Sequence, residues 1–312
     1  MATYRPAVYL RDQVASVLHQ EGLSISLLIS DDSEDKSLLM RLLPVQYLQT
    51  TAHPVSQVNV IDGPQRGVAS ANFFHLVLNN SVDADFYAFA DQDDVWSANK
   101  LEEAIKLLEK TGSECYSSEL LIWNHPSPLS SSTISQRWRM KKKLFGLFFA
   151  ESAGCTYVMS RRAFLALKQR LLQIVEKNLL HHVFSHDLFT SAYLHSQGFA
   201  WCHDRRSMIY YRQHESNAWG ADVMTFAGLQ KRLSLLNSQN YHALLYLAWM
   251  DSPPGSIASQ LWRSLCRLGF KDRIFLLRSA FNASSLLSVK TAGLAFFILF
   301  IRKYQPKPCV FV

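Results

Sequence analysis

FYAFADQDDVW, residues 86–96, changes character midway: an apolar run from Phe86 to Ala90 gives way to Asp91-Gln92-Asp93-Asp94 and then Val95-Trp96. A run this short, aromatic-rich and almost uncharged predicts a strand buried on both faces of a sheet. Three carboxylates within four residues at its C-terminal end resist joint ionisation unless a cation holds them. Hard cations such as Mg²⁺ take one or two carboxylates plus phosphate oxygens, and in open α/β sheets ligands gather beyond the carboxyl ends of the strands. The stretch therefore reads as a metal–diphosphate site. The plain alternative is a polar turn in which an Asp caps a helix starting near Asn99.

Outward from this strand the chain alternates. Residues 8–20 carry Leu10, Val14, Val17 and Leu18 on one helical face, and 23–30 is an apolar strand ending at Asp31-Asp32. Residues 55–61 read as a strand leading into Gly63-Pro64, with a helix over 68–78. After Trp96 comes a helix from Asn99 to Lys110. Further on, 120–123 and 154–159 read as strands, 162–175 as an amphipathic helix, and His186-Asp187 opens a helix ending near Gly198. A strand within 199–211 finishes in Tyr211-Arg212-Gln213-His214. Strands alternating with helices imply an α/β fold with a mostly parallel sheet flanked by helices. The domain boundary falls near residue 222, giving regions 1–222 and 223–312.

The chain has 312 residues, enough for a sizeable core, and a net charge of +7. From residue 223 onward eleven Lys and Arg face only Asp251 and Asp272, so this tail is strongly basic and the remainder near neutral. Such a tail suits an anionic surface, membrane lipid or nucleic acid. Its charges alternate with apolar residues at helical spacing, which suits lipid better, and no nucleic-acid partner is expected. Residues 291–301 are an unbroken apolar run between Lys290 and Arg302-Lys303. A spanning helix needs about 20 apolar residues, so this one reads as an interfacial helix or as a helix packed on the catalytic domain. Five dispersed cysteines point to a reducing compartment rather than a disulfide framework, and Arg5 and Arg11 interrupt any signal-peptide core. The expectation is a cytoplasmic protein, peripheral on the inner face of a bacterial membrane.

Each further candidate has a bland rival. Asp31-Asp32 ends a strand where a nucleotide's base and ribose are commonly held, and a solvated turn explains it equally well. No Gly-rich phosphate loop is present, since Gly63 and Gly67 are too sparse. Asp187 begins a helix whose dipole favours its ionised form, and it either accepts a proton from a hydroxyl nucleophile or merely caps that helix. His182 and His186 have zinc-like i,i+4 spacing but lack the glutamate of a hydrolytic zinc helix. His214 reads as a third metal ligand or as an exposed loop histidine.

Taken in order, these pieces form a pattern: ATY at 2–4, LLISDD at 27–32, GVASANF at 67–73, ADQDDVW at 90–96, GCTYVMSRRA at 154–163, HD at 186–187 and YRQH at 211–214. The succession resembles glycosyltransferase family 2, specifically the bacterial rhamnosyltransferase-like members. The resemblance implies a GT-A fold and an inverting transfer of a sugar from a nucleotide diphosphate donor to a lipid-linked or cell-surface glycan acceptor. It implies that Thr3, Tyr4, Asp31 and Asp32 hold the nucleotide, and that Asp91 and Asp93 form the Asp-x-Asp pair. Within that pair Asp93 is the direct ligand of Mg²⁺ or Mn²⁺ and Asp91 lies nearer the ribose and diphosphate. His214 completes the metal shell, Asp187 is the base, and Gly154, Cys155 and Thr156 lie near donor sugar and acceptor. Two departures stand out. The family's first strand begins several apolar residues before its Ala-Thr-Tyr, so the resemblance implies a shortened first strand here. Ser33-Glu34-Asp35 replaces a longer Gly-Ser loop. A catalytically silent member scaffolding at the membrane, and a metal-dependent nucleotidyltransferase, are the rival readings.

Overall fold

Strand β2 (Ser26–Asp31) is the axis of a three-stranded parallel sheet, with β1 (Ala2–Thr3) on one side and β3 (Gln57–Asp62) on the other. The computed structural model describes residues 1–43, 57–124, 126–127, 131–134, 144–214 and 239–283. β1 pairs Ala2 with Ser30 and Thr3 with Asp31, and Ala2 N also donates to Ala90 O at 3.3 Å. That bond joins β1 to the chain just beyond β4 (Phe86–Ala88), so the acidic stretch emerges beside the ends of β1 and β2.

A second, mixed sheet runs in the order β4, β8 (Val158–Ser160), β6 (Cys115–Asn124), β9 (Trp201–Gln213), β5 (Val95–Trp96), with β7 (Thr133–Ile134) on β6. β6 and β9 are parallel, and their register shifts around Glu119. Such an irregularity re-aims a side chain. Here Glu119, fully buried, meets His203 Nε2 at 3.0 Å, while Ser117 Oγ lies 2.8 Å from His203 Nδ1.

Three helices follow the predicted pattern closely: α1 (Leu10–Leu18), α3 (Ala69–Asn79) and α4 (Lys100–Thr111), with the short α2 (Ser37–Leu42) between the first two. Leu10, Val14, Val17 and Leu18 pack with Leu27, Ile29, Leu39, Ala90 and Trp96. Each such side chain, once buried, contributes about 1.5–3 kcal/mol.

The expected burial of the Phe86 strand on both faces does not hold. Phe86, Tyr87 and Ala88 are half-buried, and burial becomes complete only at Phe89 and Ala90. Tyr87 stacks on Phe164 at 3.8 Å and turns its hydroxyl to Val82 O and Ala84 N, so its face is covered by that ring and by the loop leading into β4. The expected strand over 154–159 is also shorter. Gly154–Thr156 form a 3₁₀ turn, because Tyr157 N bonds Gly154 O and the Thr156 hydroxyl bonds Ala153 O, and β8 starts at Val158.

The chain forms two compact units. One comprises Met1–Gln136, Ser152–Lys168 and Ala200–Ala221; the other Arg137–Glu151, Gln169–Phe199 and Asp222–Val312. The helix α6 (Arg161–Glu176) continues from the first set of segments into the second. The second unit contains α5 (Phe145–Phe148), α7 (His186–Ser196), α8 (Gln239–Trp249), α9 (Ile257–Arg267) and α10 (Phe270–Ala283). Its core includes Trp249, edge-on to Phe148 at 5.2 Å, and the buried Arg170, which donates to Leu247 O and pairs with Asp251. Among the described residues no helix is long and apolar enough to cross a membrane. The apolar run 291–301 lies outside the described residues.

Candidate functional site

The acidic stretch is held from several sides at once. Gln92 bonds Tyr4 reciprocally, its Oε1 accepting from Tyr4 N at 2.9 Å and its Nε2 donating to Tyr4 O at 3.2 Å, as a neighbouring strand would. Gln13, buried on the apolar face of α1, donates to Asp91 O at 3.1 Å. Arg212 supplies the third hold. Its Nε donates to Asp93 O at 2.9 Å and its backbone N to Asp94 Oδ1 at 3.3 Å. The guanidinium is 3% exposed, lies between the rings of Tyr9 and Trp123 at 4.4 and 4.3 Å, and pairs with Asp12 at 3.0 Å. A planar, delocalised cation suits a slot between two aromatic faces.

These holds present the carboxylates in two groups. Asp93 Oδ2 lies 2.9 Å from His214 Nε2, and the His214 ring packs against Tyr9. Asp91, Asp94 and Cys155 bring one ligand atom each within 4.8 Å of one another. Asp94 is fully buried, and its Oδ2 has no hydrogen-bond partner among the described residues. Burial, reinforced by the Asp91 and Asp93 carboxylates, pushes its pKa well above the usual carboxylate range. Burial and Asp94 push the Cys155 thiol up as well. A cation beside these groups would reverse both shifts. Of the two groups, Asp93 with His214 is the carboxylate–imidazole pair that suits Mn²⁺ or Mg²⁺, and Asp91, Asp94 and Cys155 add two carboxylates and a buried thiol. The capping alternative fails, since the N-cap of α4 is Asn99, which makes no side-chain cap bond.

Lys100, the first residue of α4, is fully buried with its ammonium 3.6 Å from the Trp96 ring centroid. A cation there opposes the helix dipole. Burial lowers its pKa to about 7, with Cys155 and Asp94 holding it from falling further. The unfolded chain therefore binds this proton more tightly, and Lys100 makes stability rise with pH between about 7 and its ordinary value, by up to about 1.4 kcal/mol per pH unit. Lys100→Met is expected to stabilise the chain more at pH 6 than at pH 9, read from urea midpoints at the two pH values.

The residues expected to hold a nucleotide gather at the end of β2. Thr3 Oγ1 donates to Asp31 Oδ1 at 3.0 Å, and the Ser33 hydroxyl donates to the same oxygen at 2.8 Å. Asp31 Oδ2 is buried without a hydrogen-bond partner among the described residues, as is Asn72 Oδ1. Asn72 ties the two strands by donating to Thr3 O and Ser30 O. Asp32 is engaged differently, accepting from the backbone of Arg66 and Gly67 and so fixing the turn after β3. Tyr4 is 40% exposed beside this turn. A Cβ on Gly63 would sit 2.7 Å from Asp32 Cα and 2.8 Å from Asp31 O. Gly63→Ala is expected to cost about 1–3 kcal/mol by overpacking and to displace both aspartates, measurable as a lowered melting temperature with weakened nucleotide binding.

Gly154, Cys155 and Thr156 are all buried. Asp187 lies in the second unit, in the first turn of α7. Its Oδ1 accepts from Leu188 N at 2.8 Å and from the Ser185 hydroxyl, while Ser185 is the N-cap residue. Gln92, Gln13, Arg212 and Lys100 carry no assignment from sequence, and Asp94 reads there only as one of the three clustered acids. The available signals were a lysine six residues after the acid cluster and a glutamine on an apolar helical face.

Three comparisons bear on identity. The family model for Glycosyl transferase family 2 matches residues 1–164, more than half of the chain. The dTDP-rhamnosyl transferase RfbG of Shigella flexneri is 28% identical over 243 residues, covering 77% of this chain and 80% of that protein. The crystal structure of S. aureus TarS 1–349 in complex with UDP-GlcNAc aligns with a TM-score of 0.51 at 9% identity, covering 96% of this chain and 89% of that one. At that identity the likeness is one of fold, the GT-A arrangement of a parallel sheet and a mixed sheet flanked by helices. On the strength of the family match, the chain belongs to glycosyl transferase family 2 and is a glycosyltransferase.

Proposed function

We propose that this glycosyltransferase moves a sugar, rhamnose by its likeness to a dTDP-rhamnosyl transferase, from a nucleoside diphosphate to a glycan acceptor in one inverting displacement. The observation that carries the reading is the Asp93–His214 contact at 2.9 Å beside buried acids whose protonation burial favours. Thr3, Tyr4, Asp31 and Asp32 bind the nucleotide, and Asp91 faces ribose and diphosphate. Asp93, Asp91 and His214 would hold Mg²⁺ or Mn²⁺, which when bound would neutralise charge developing on the diphosphate leaving group. Asp187 takes the proton from the acceptor hydroxyl, its carboxylate oriented by Ser185 and Leu188 N. One base and no covalent carboxylate give inversion. Gly154, Cys155 and Thr156 form the wall near donor sugar and acceptor. The acceptor is lipid-linked or a growing polysaccharide, and the enzyme works peripherally on the cytoplasmic membrane face.

The test is donor turnover with dTDP-rhamnose or UDP-GlcNAc, each with Mn²⁺, Mg²⁺ or chelator. The reading expects release of dTDP from the first donor, dependent on the ion. Preferential turnover of UDP-GlcNAc would refute the donor assignment.

Arg212 makes a further prediction on this reading. Arg212→Lys keeps the charge but loses the planar fit between Tyr9 and Trp123 and the bond to Asp93 O. Partners that orient metal ligands typically cost 10–100-fold in affinity when changed. The half-saturating Mn²⁺ concentration for turnover is expected to rise by roughly that factor, with the circular dichroism spectrum unchanged.

A further inference from the structure

Helices α9 and α10 are joined by Leu268 and Gly269 alone, with Leu268 in the left-handed region at φ 54°. This corner frames an open hollow of about 330 Å³, lined in part by Arg263, Arg267, Lys271, Asp272 and Phe275. Arg263 and Arg267 lie one turn apart on α9, and Lys271 and Phe275 one turn apart on α10. All three cations are exposed. Asp272 Oδ2 accepts from Gly269 N at 3.1 Å, so the acid in the hollow serves the corner itself. Within 239–283 five basic residues face two acids, and the other acid, Asp251, pairs with Arg170.

Ordinary surface chemistry explains part of this. Arg267 in the last turn of α9 complements the helix dipole. Lys271, in the first turn of α10, opposes it. Immediately before it, Phe270 is 81% exposed, a large apolar side chain held in water. A lysine against the dipole and a protruding phenyl beside a basic hollow share one explanation, a surface that offers phosphate oxygens and an apolar layer together.

We propose that the α9–α10 corner docks on an anionic phospholipid surface, with Arg263, Arg267 and Lys271 receiving headgroup phosphates and Phe270 entering the headgroup–acyl boundary. This rests on the membrane part of the proposed function and assigns it to residues other than 291–301 and other than those proposed for sugar transfer. Single-stranded nucleic acid would meet the same charges and stack a base on Phe270, so preference for DNA over vesicles is the outcome that decides against lipid.

The experiment is flotation of the full chain with vesicles of phosphatidylcholine alone and with roughly one third phosphatidylglycerol. A basic residue near such a surface is worth about five-fold in partition, so Arg263→Glu/Arg267→Glu/Lys271→Glu is expected to lower binding to the anionic vesicles by roughly 100-fold or more. The milder Arg263→Gln/Arg267→Gln/Lys271→Gln is expected to fall in the same direction, and Phe270→Ser several-fold. Donor turnover without membrane is expected to stay at the wild-type level, which separates failure here from failure of the sugar-transfer reading. Wild-type binding by the well-folded glutamine variant would overturn the proposal. So would equal binding to neutral vesicles, displacement by inorganic phosphate, which assigns the hollow to a free anion, or retention of DNA in preference to vesicles.

Discussion

Asp187→Asn is expected to bind the sugar donor as tightly as the wild type and to transfer it about 10³-fold more slowly, within the range typical of losing a general base. The substitution isolates chemistry from structure. Asn keeps the shape and an oxygen that accepts from Leu188 N, so the first turn of α7 stays capped, with Ser185 still at the N-cap. What disappears is the capacity to take a proton. Single-turnover transfer, set beside donor affinity from calorimetry, reads the two effects apart. A wild-type rate for Asp187→Asn would remove it as base, and a rate loss matched by a loss of donor affinity would make it a binding residue.

Much of the scaffold was legible because local periodicity carried it. The face of α1 marked by Leu10, Val14, Val17 and Leu18 is the face that packs, and β2 ends at the acids that ended its apolar run. Two readings failed for reasons local sequence does not hold. Apolar content at Phe86–Ala88 suggested burial on both faces, but burial is set by what packs on the strand, and on the Tyr87 face that is one ring and the preceding loop. At Gly154–Thr156 a threonine hydroxyl bonding back to Ala153 O competes with the extended form.

The site was legible as a set of acids but not as a mechanism for holding them. Residues far apart in sequence do that work: Arg212 reaches Asp93 O across 119 positions, and Gln92 reaches Tyr4 across 88. Neither side chain is unusual in its own window. Lys100 reads as an ordinary charge opening a helix, and only its burial over Trp96 reveals that the core behind the acids carries a cation of its own. Asp31 and Asp32, identical in sequence terms, part company in the fold. Asp31 keeps a buried oxygen without a protein partner among the described residues, whereas Asp32 is engaged by Arg66 and Gly67. The nucleotide-binding role proposed for the pair therefore falls more heavily on Asp31.

We propose that the acids following Ala90 grip a divalent ion against the donor diphosphate. Asp93→Ala tests it with the second large effect. The variant loses the carboxylate at His214 but keeps the backbone oxygen that Arg212 holds, so the loop retains its anchor. The most direct measurement is titration calorimetry of dTDP into wild type and Asp93→Ala, each with and without Mn²⁺. Mn²⁺ is expected to tighten wild-type binding by roughly 10–100-fold, the usual size of a coupling between two ligands, and to leave Asp93→Ala at the weak, ion-free affinity. Wild-type binding indifferent to Mn²⁺, or an undiminished Mn²⁺ effect in Asp93→Ala, would contradict it.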